Sequence, residues 1–228
     1  PTVSGMNTSA TTALTVSNFG QFGLADGSSL NAGGEGWRTS MIDINILYEG
    51  ALIVASADGG WSDASLREDG SRRFDFAPRP AAANGVLCFD DTRSENPVGI
   101  VIDQTASPTF RNGSYDVTTI TWTVRNARAT SIAGAQLAWM IDIDLPGVGA
   151  VDETVVLDPV SGGYFHVAPR NDFVAGLAPL SGPFGALNFF QNVGSKQPLS
   201  TVEKKQSLQG REEAPADAVD AVPVPETE

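Results

Sequence analysis

Cysteine is almost absent from this chain of 228 residues. Cys88 stands alone, which rules out an intrachain disulfide and a thiolate metal cage. Histidine is as scarce: His166 is the single one, and a Ser–His–Asp triad would have to use it. The nucleophile-elbow pattern G-x-S-x-G is missing, and His166 falls in GYFHVAP, a predicted strand where Phe165 and Val167 flank it and a packing or surface role is expected. No run of eighteen apolar residues occurs, so no membrane-spanning helix is predicted. Basic clusters are missing too. Lys and Arg number 14 against 27 Asp and Glu, a formal net charge of −13, and nucleic-acid binding needs grouped cations to displace counterions. Nucleic acid is therefore excluded as a partner. The chain opens at Pro1 without an initiating Met or an apolar leader, which predicts a mature product or an excised piece.

What is present is an ordinary globular composition, 41% hydrophobic and 18% charged. A chain of this length buries roughly 70% of its unfolded surface and needs no covalent staple. Its patterning is that of strands. In the segment from Tyr115 to Pro146, Leu137, Trp139, Ile141 and Ile143 alternate with Gln136, Ala138, Met140, Asp142 and Asp144. That is the period of a half-buried strand. Before it, Ile120, Trp122 and Val124 share one face while Thr119, Thr121 and Thr123 take the other, and a short polar turn joins the two runs into a long pair.

Further short strands are predicted at Thr11–Ser17, Met41–Leu47 and Ala51–Ala57, the last two joined at Glu49-Gly50. Others follow at Arg73–Phe76, Val86–Phe89, Val98–Asp103, Thr154–Leu157, Gly163–Ala168 and Phe173–Ala178. One helix is predicted over 201–209, because Ser200-Thr201-Val202-Glu203 forms a capping box and Gly210 ends it. Many strands, one helix and no βαβ alternation predict an all-β protein, an antiparallel β-sandwich of two packed sheets. Residues 1–10 read as a flexible segment and 11–210 as the sandwich domain. The acidic, proline-bearing stretch 211–228 reads as a disordered tail or linker.

Three kinds of chemistry find candidates. Calcium needs six to eight hard oxygen ligands. Asp142 and Asp144 leave one side of a strand end about 7 Å apart, and the turn after Pro146 brings Asp152 back. These three are the candidate Ca²⁺ ligands, although the spacing is not that of an EF-hand. Carbohydrate binding needs exposed aromatic platforms, and Trp37 and Trp61, set in polar stretches, are the candidates. Paired carboxylates such as Asp90/Asp91 could serve a glycosidase only if held across a cleft, which spacing cannot decide. The stretch Gly33-Gly34-Glu35-Gly36 lacks the Gly-Lys-Ser/Thr ending of a phosphate loop.

A family resemblance rests on several short elements. Leu47-Tyr48-Glu49-Gly50-Ala51-Leu52 resembles a Tyr-Glu-Gly-Gly-Leu strand, with Ala51 for the second glycine. Met140-Ile141-Asp142-Ile143-Asp144 resembles an Asp-Trp-Asp strand end, with Ile143 for the tryptophan. Lys204 or Lys205 with Leu208 and Gly210 resembles a Lys-x-x-x-Leu-x-x-Gly stretch. Together with LTVSNFGQFG and VAGLAPLSG, these look like the β-rich accessory region that follows the catalytic domain in secreted bacterial subtilisin-like serine proteases. The likeness spans about 12–210, and the acidic tail departs from it. It carries no protease motif. What it implies is a non-catalytic accessory or interaction module, secreted or at the cell surface, whose partners are other domains of a parent protein or an extracellular protein or glycan.

Overall fold

A computed structural model of the chain describes residues 4–8, 12–23, 36–39, 46–65, 67, 73–81, 83–111, 114–143, 145, 154–168, 173–180, 204, 205 and 208. Among them the protein is built of strands in antiparallel sheets with almost no helix, so the all-β expectation holds. The chain divides into two compact units. The first is Pro1–Leu66 with Ser71–Asp142, the second Arg67–Gly70 with Ile143–Glu228.

In the first unit, one sheet runs β1 (Ser4–Thr8), β2 (Thr12–Ser17), β3 (Gln21–Phe22), β5 (Leu47–Ala55) and β11 (Gln136–Ile143). Off that path, β4 (Trp37–Thr39) pairs with β2 and β6 (Trp61–Asp63) pairs with β5. A second sheet orders β10 (Ser114–Asn126), β9 (Ile100–Arg111), β8 (Leu87–Asp90) and β7 (Ala77–Arg79). Pro78 lies in β7, an edge strand, where a missing N–H costs no ladder bond on the open side. The core gathers Ala51, Leu52, Val54, Ala64, Phe76, Phe89, Val98, Ile100 and Ile102. The larger of these, Leu, Val, Ile and Phe, contribute about 1.5–3 kcal/mol each when fully buried.

Several expectations are corrected. The two long strands do not pair with each other: β10 pairs with β9 in a register that runs from Ser114↔Arg111 to Asn126↔Ile100, and β11 joins the other sheet beside β5. Asn112-Gly113, between β9 and β10, is a dipeptide suited to a two-residue hairpin turn. Residues 127–135 then carry the chain across. They are held by Ala127 N–H on the Gly99 carbonyl at 2.9 Å and by Ala57 N–H on the Ala133 carbonyl at 2.9 Å. Trp122 and Trp139 consequently meet from different sheets, with ring centroids 5.3 Å apart.

Glu49-Gly50 is no turn. The chain runs through it as part of β5, and Gly50 faces Phe22, whose ring would stand 2.6 Å from an added Cβ and whose carbonyl oxygen 2.7 Å. Glycine is required there by close approach of β3, not by backbone freedom. At the N-terminal end, β1 pairs along its length with β2. The alternation of β11 is also blunted. Leu137 through Ile141 are all half-buried, and Met140 packs on the core together with Leu137 and Trp139.

The second unit contains a sheet of β12 (Thr154–Asp158), β13 (Gly163–Ala168) and β14 (Phe173–Leu177). The turn after β12 is tied by the Asp158 carboxylate, which accepts from the N–H groups of Val160 and Ser161 at 3.0 and 3.2 Å. Burial pushes the Tyr164 phenol well above its ordinary range. Of the helix predicted over 201–209, Lys204, Lys205 and Leu208 are helical; the other positions, and the tail 211–228, lie outside the described residues.

Candidate functional site

The acidic groups sort by what they hold. Asp91 is 1% exposed, at the turn leaving β8. Its carboxylate accepts from Ile100 N–H at 3.0 Å, Gly99 N–H at 2.9 Å and the Ser62 hydroxyl at 3.1 Å. One side chain thus ties the start of β9 to β6. Gly99 sits at φ +83°, a region that favours glycine, and this directs its N–H at the carboxylate. Asp63, fully buried, accepts from Ser65 N–H at 2.8 Å and from the Ser65 hydroxyl, and it pairs with Arg73 at 3.5 Å. The backbone N–H of Asp63 goes to the Asp75 carboxylate at 3.0 Å. Asp90 accepts from Thr92 N–H at 3.1 Å and Thr92 Oγ1 at 2.6 Å, and from Arg79 at 3.2 Å. Asp90 and Asp91 thus hold different neighbours and do not face each other across a cleft in the manner of a glycosidase pair.

The inner face of the second sheet closes its polar groups in the same way. Gln104, fully buried, accepts from Trp122 Nε1 at 2.6 Å and donates to the Ser17 carbonyl at 3.4 Å. Phe22, Trp122 and Trp139 form an aromatic cluster over it.

The outer face carries an open hollow of about 300 Å³, lined by Arg79, Pro80, Cys88, Val101, Arg125 and Asn126. Arg79 pairs with Asp90, and Arg125 pairs with Asp103 at 2.9 Å. Both arginine side chains are about half exposed, 48% and 54%. Cys88 is buried, and desolvation first, then the neighbouring Asp103, push its thiol upward. A neutral thiol is a poor nucleophile.

Sequence-derived candidates fare unevenly. Trp61 is not in a polar loop: it lies in β6, is 7% exposed, and its backbone N–H donates to the Asn96 carbonyl at 2.7 Å. So buried an indole leaves little face for a sugar to stack on. Trp37 is half-buried in β4, opposite Leu14. Asp142 is exposed near the end of β11, while Asp144 and Asp152 lie outside the described residues. Among the described residues no group of three or more His, Cys, Asp or Glu side chains is placed to hold a metal ion. His166 lies in β13 with Val155 and Ala175 as strand partners. The hollow was missed because Arg79 and Arg125 are 46 positions apart in sequence and only strand pairing brings them together. The single sequence signal was the alternation of β10, which sets Arg125 on the same row as Thr121 and Thr123.

No protein-family model matches the chain, and neither does any curated protein or solved structure. Nothing in these comparisons links it to subtilisin-like proteases.

Proposed function

We propose that the chain is a non-catalytic β-sandwich accessory or interaction module of a larger secreted or surface protein. The observation that supports this most is the arrangement around Asp91. Three donors from two strands and a turn converge on one buried carboxylate, which is how an acid serves as a backbone clamp rather than as a proton donor or nucleophile. Packing of the two sheets of the first unit over the Phe76–Phe89 core supports the sandwich. The accessory role beside a secreted bacterial subtilisin-like protease rests on the short sequence elements from Leu47 to Leu52 and from Met140 to Asp144. Partners on this reading are other domains of the parent protein, or an extracellular protein or glycan. The reading is tested by a panel of glycosidase and protease substrates with purified chain: turnover that survives repurification overturns it, and a blank panel supports it. A reading frame with a protease domain upstream of Pro1 would support the association, and one without it would remove it.

Calcium belongs to the same proposal. Asp142, Asp144 and Asp152 would hold the ion at the roughly 10⁻⁴–10⁻³ M affinity of extracellular modules, and binding would stabilise the fold by mass action. A thermal melt at several millimolar Ca²⁺, with and without chelator, should separate the midpoints by a few degrees. Identical midpoints would eliminate the ion.

A further inference from the structure

The hollow on the outer face of the second sheet has an internal symmetry. Strand register sets two neighbouring rows across β7, β8, β9 and β10: Arg79, Cys88, Asp103, Thr123 and Ala77, Asp90, Val101, Arg125. Turning the sheet by half a revolution about the centre of these rows exchanges Arg79 with Arg125, Asp90 with Asp103, and Cys88 with Val101. Each arginine leans diagonally onto the aspartate of the adjacent strand, so both guanidinium groups tip toward the shared floor of Cys88 and Val101.

The groups of this quartet are unequally satisfied. A guanidinium carries five N–H donors, and among the described residues Arg79 and Arg125 each make one ion pair. The acceptors are unevenly engaged: Asp103 takes Arg125 on Oδ2, while its Oδ1 is buried without a hydrogen-bond partner among the described residues. Asp90 takes three donors, and the Asn126 amide has both ends occupied, donating to the Thr130 carbonyl at 2.7 Å and accepting from Arg128 N–H at 2.8 Å. The hollow is therefore rich in unused donors, held in two planar forks on either side of an uncharged floor. Forks of this kind match carboxylate oxygens, two to a group.

We propose that this hollow binds a short dicarboxylate, one carboxylate to Arg79 and the other to Arg125, with the ligand's methylene groups over Cys88 and Val101. The resident aspartates repel the incoming charge, which sets the affinity low, in the millimolar range. The inference is independent of whether the chain is an accessory module.

The test is an amide-resolved NMR titration of the full chain with succinate, against acetate and the uncharged succinamide. Saturable shifts at Val101 and Asn126 with succinate are expected, about tenfold weaker with acetate and absent with succinamide. Arg79→Gln and Arg125→Gln should each weaken succinate about tenfold, whereas Arg93→Gln, at an arginine over the Phe19 ring, should leave it unchanged. Both hollow arginines are half exposed, so the variants should keep the dispersed spectrum of the folded chain. Absence of saturation, equal binding of succinamide, or succinate binding untouched by both hollow variants would overturn the proposal.

Discussion

Two acidic places in the first unit look alike in sequence and differ in the fold: the turn after β8, with Asp90 and Asp91, and the end of β11, with Asp142. Each presents adjacent or near-adjacent carboxylates after an alternating strand. At the turn, Asp91 is 1% exposed and clamps three donors. At the strand end, Asp142 is exposed. An acid's consequence for the protein therefore follows from the backbone donors that surround it, and these are set by strand pairing. The two places should respond to mutation very differently.

Asp91→Ala should be the most damaging change, because it leaves the N–H groups of Gly99 and Ile100 and the Ser62 hydroxyl buried without their acceptor. Unsatisfied buried groups cost about 1–3 kcal/mol each, so a loss of about 3–5 kcal/mol in urea unfolding is expected. Trp61→Ala should come close, at about 3–5 kcal/mol, as a large buried aromatic truncated in a core. Trp37→Ala, at a half-buried position, should cost clearly less. Equal costs would restore the symmetry between the two indoles that sequence suggests.

Gly50→Ala sharpens the contrast between turn and strand. A methyl group there meets the Phe22 ring and backbone, and overpacking of this kind costs about 1–3 kcal/mol. A neutral result would favour a connection at Glu49-Gly50 after all.

A pH experiment separates the second unit from the first. Burial raises the Tyr164 phenol above its unfolded value of about 10. The folded state therefore holds its proton where the unfolded state gives it up. The stability from this group is whole below pH 10 and declines as pH climbs above it. An absorbance titration of the tyrosines should contain a late step, and Tyr164→Phe should remove it. A late part of the titration unchanged by Tyr164→Phe would contradict the burial. Asp142→Asn should be the mildest change, within about 0.5 kcal/mol in the absence of metal.

Much of the fold was legible because alternation reports burial directly. In β10 the alternation set Trp122 inward and Thr121 and Thr123 outward, though Val124, read as sharing the inward face, is exposed; the all-β class followed. Pairing was not legible. Nothing local distinguishes β9 from β11 as the neighbour of β10, since either gives β10 an alternating partner; the choice is made by the packing of Trp122 against Gln104 and Trp139. The blunted pattern of β11 has the same origin, for Met140 finds core on what alternation marks as the outer side. Gly50 was misread because glycine signals both a turn and a close approach. The hollow was invisible because its arginines belong to opposite edges of one sheet. Trp61 was misplaced because polar neighbours, Gly59, Gly60, Ser62 and Asp63, imply a loop, whereas Ser62 and Asp63 are themselves buried and hydrogen-bonded.

The most direct measurement is a pair of urea unfolding curves for Asp91→Ala and Asp142→Ala beside the parent chain. If buried carboxylates act here as backbone clamps, then with chelator present Asp91→Ala unfolds at far lower urea than either Asp142→Ala or the parent. A parent-like curve for Asp91→Ala, or the larger loss at Asp142, would contradict that role.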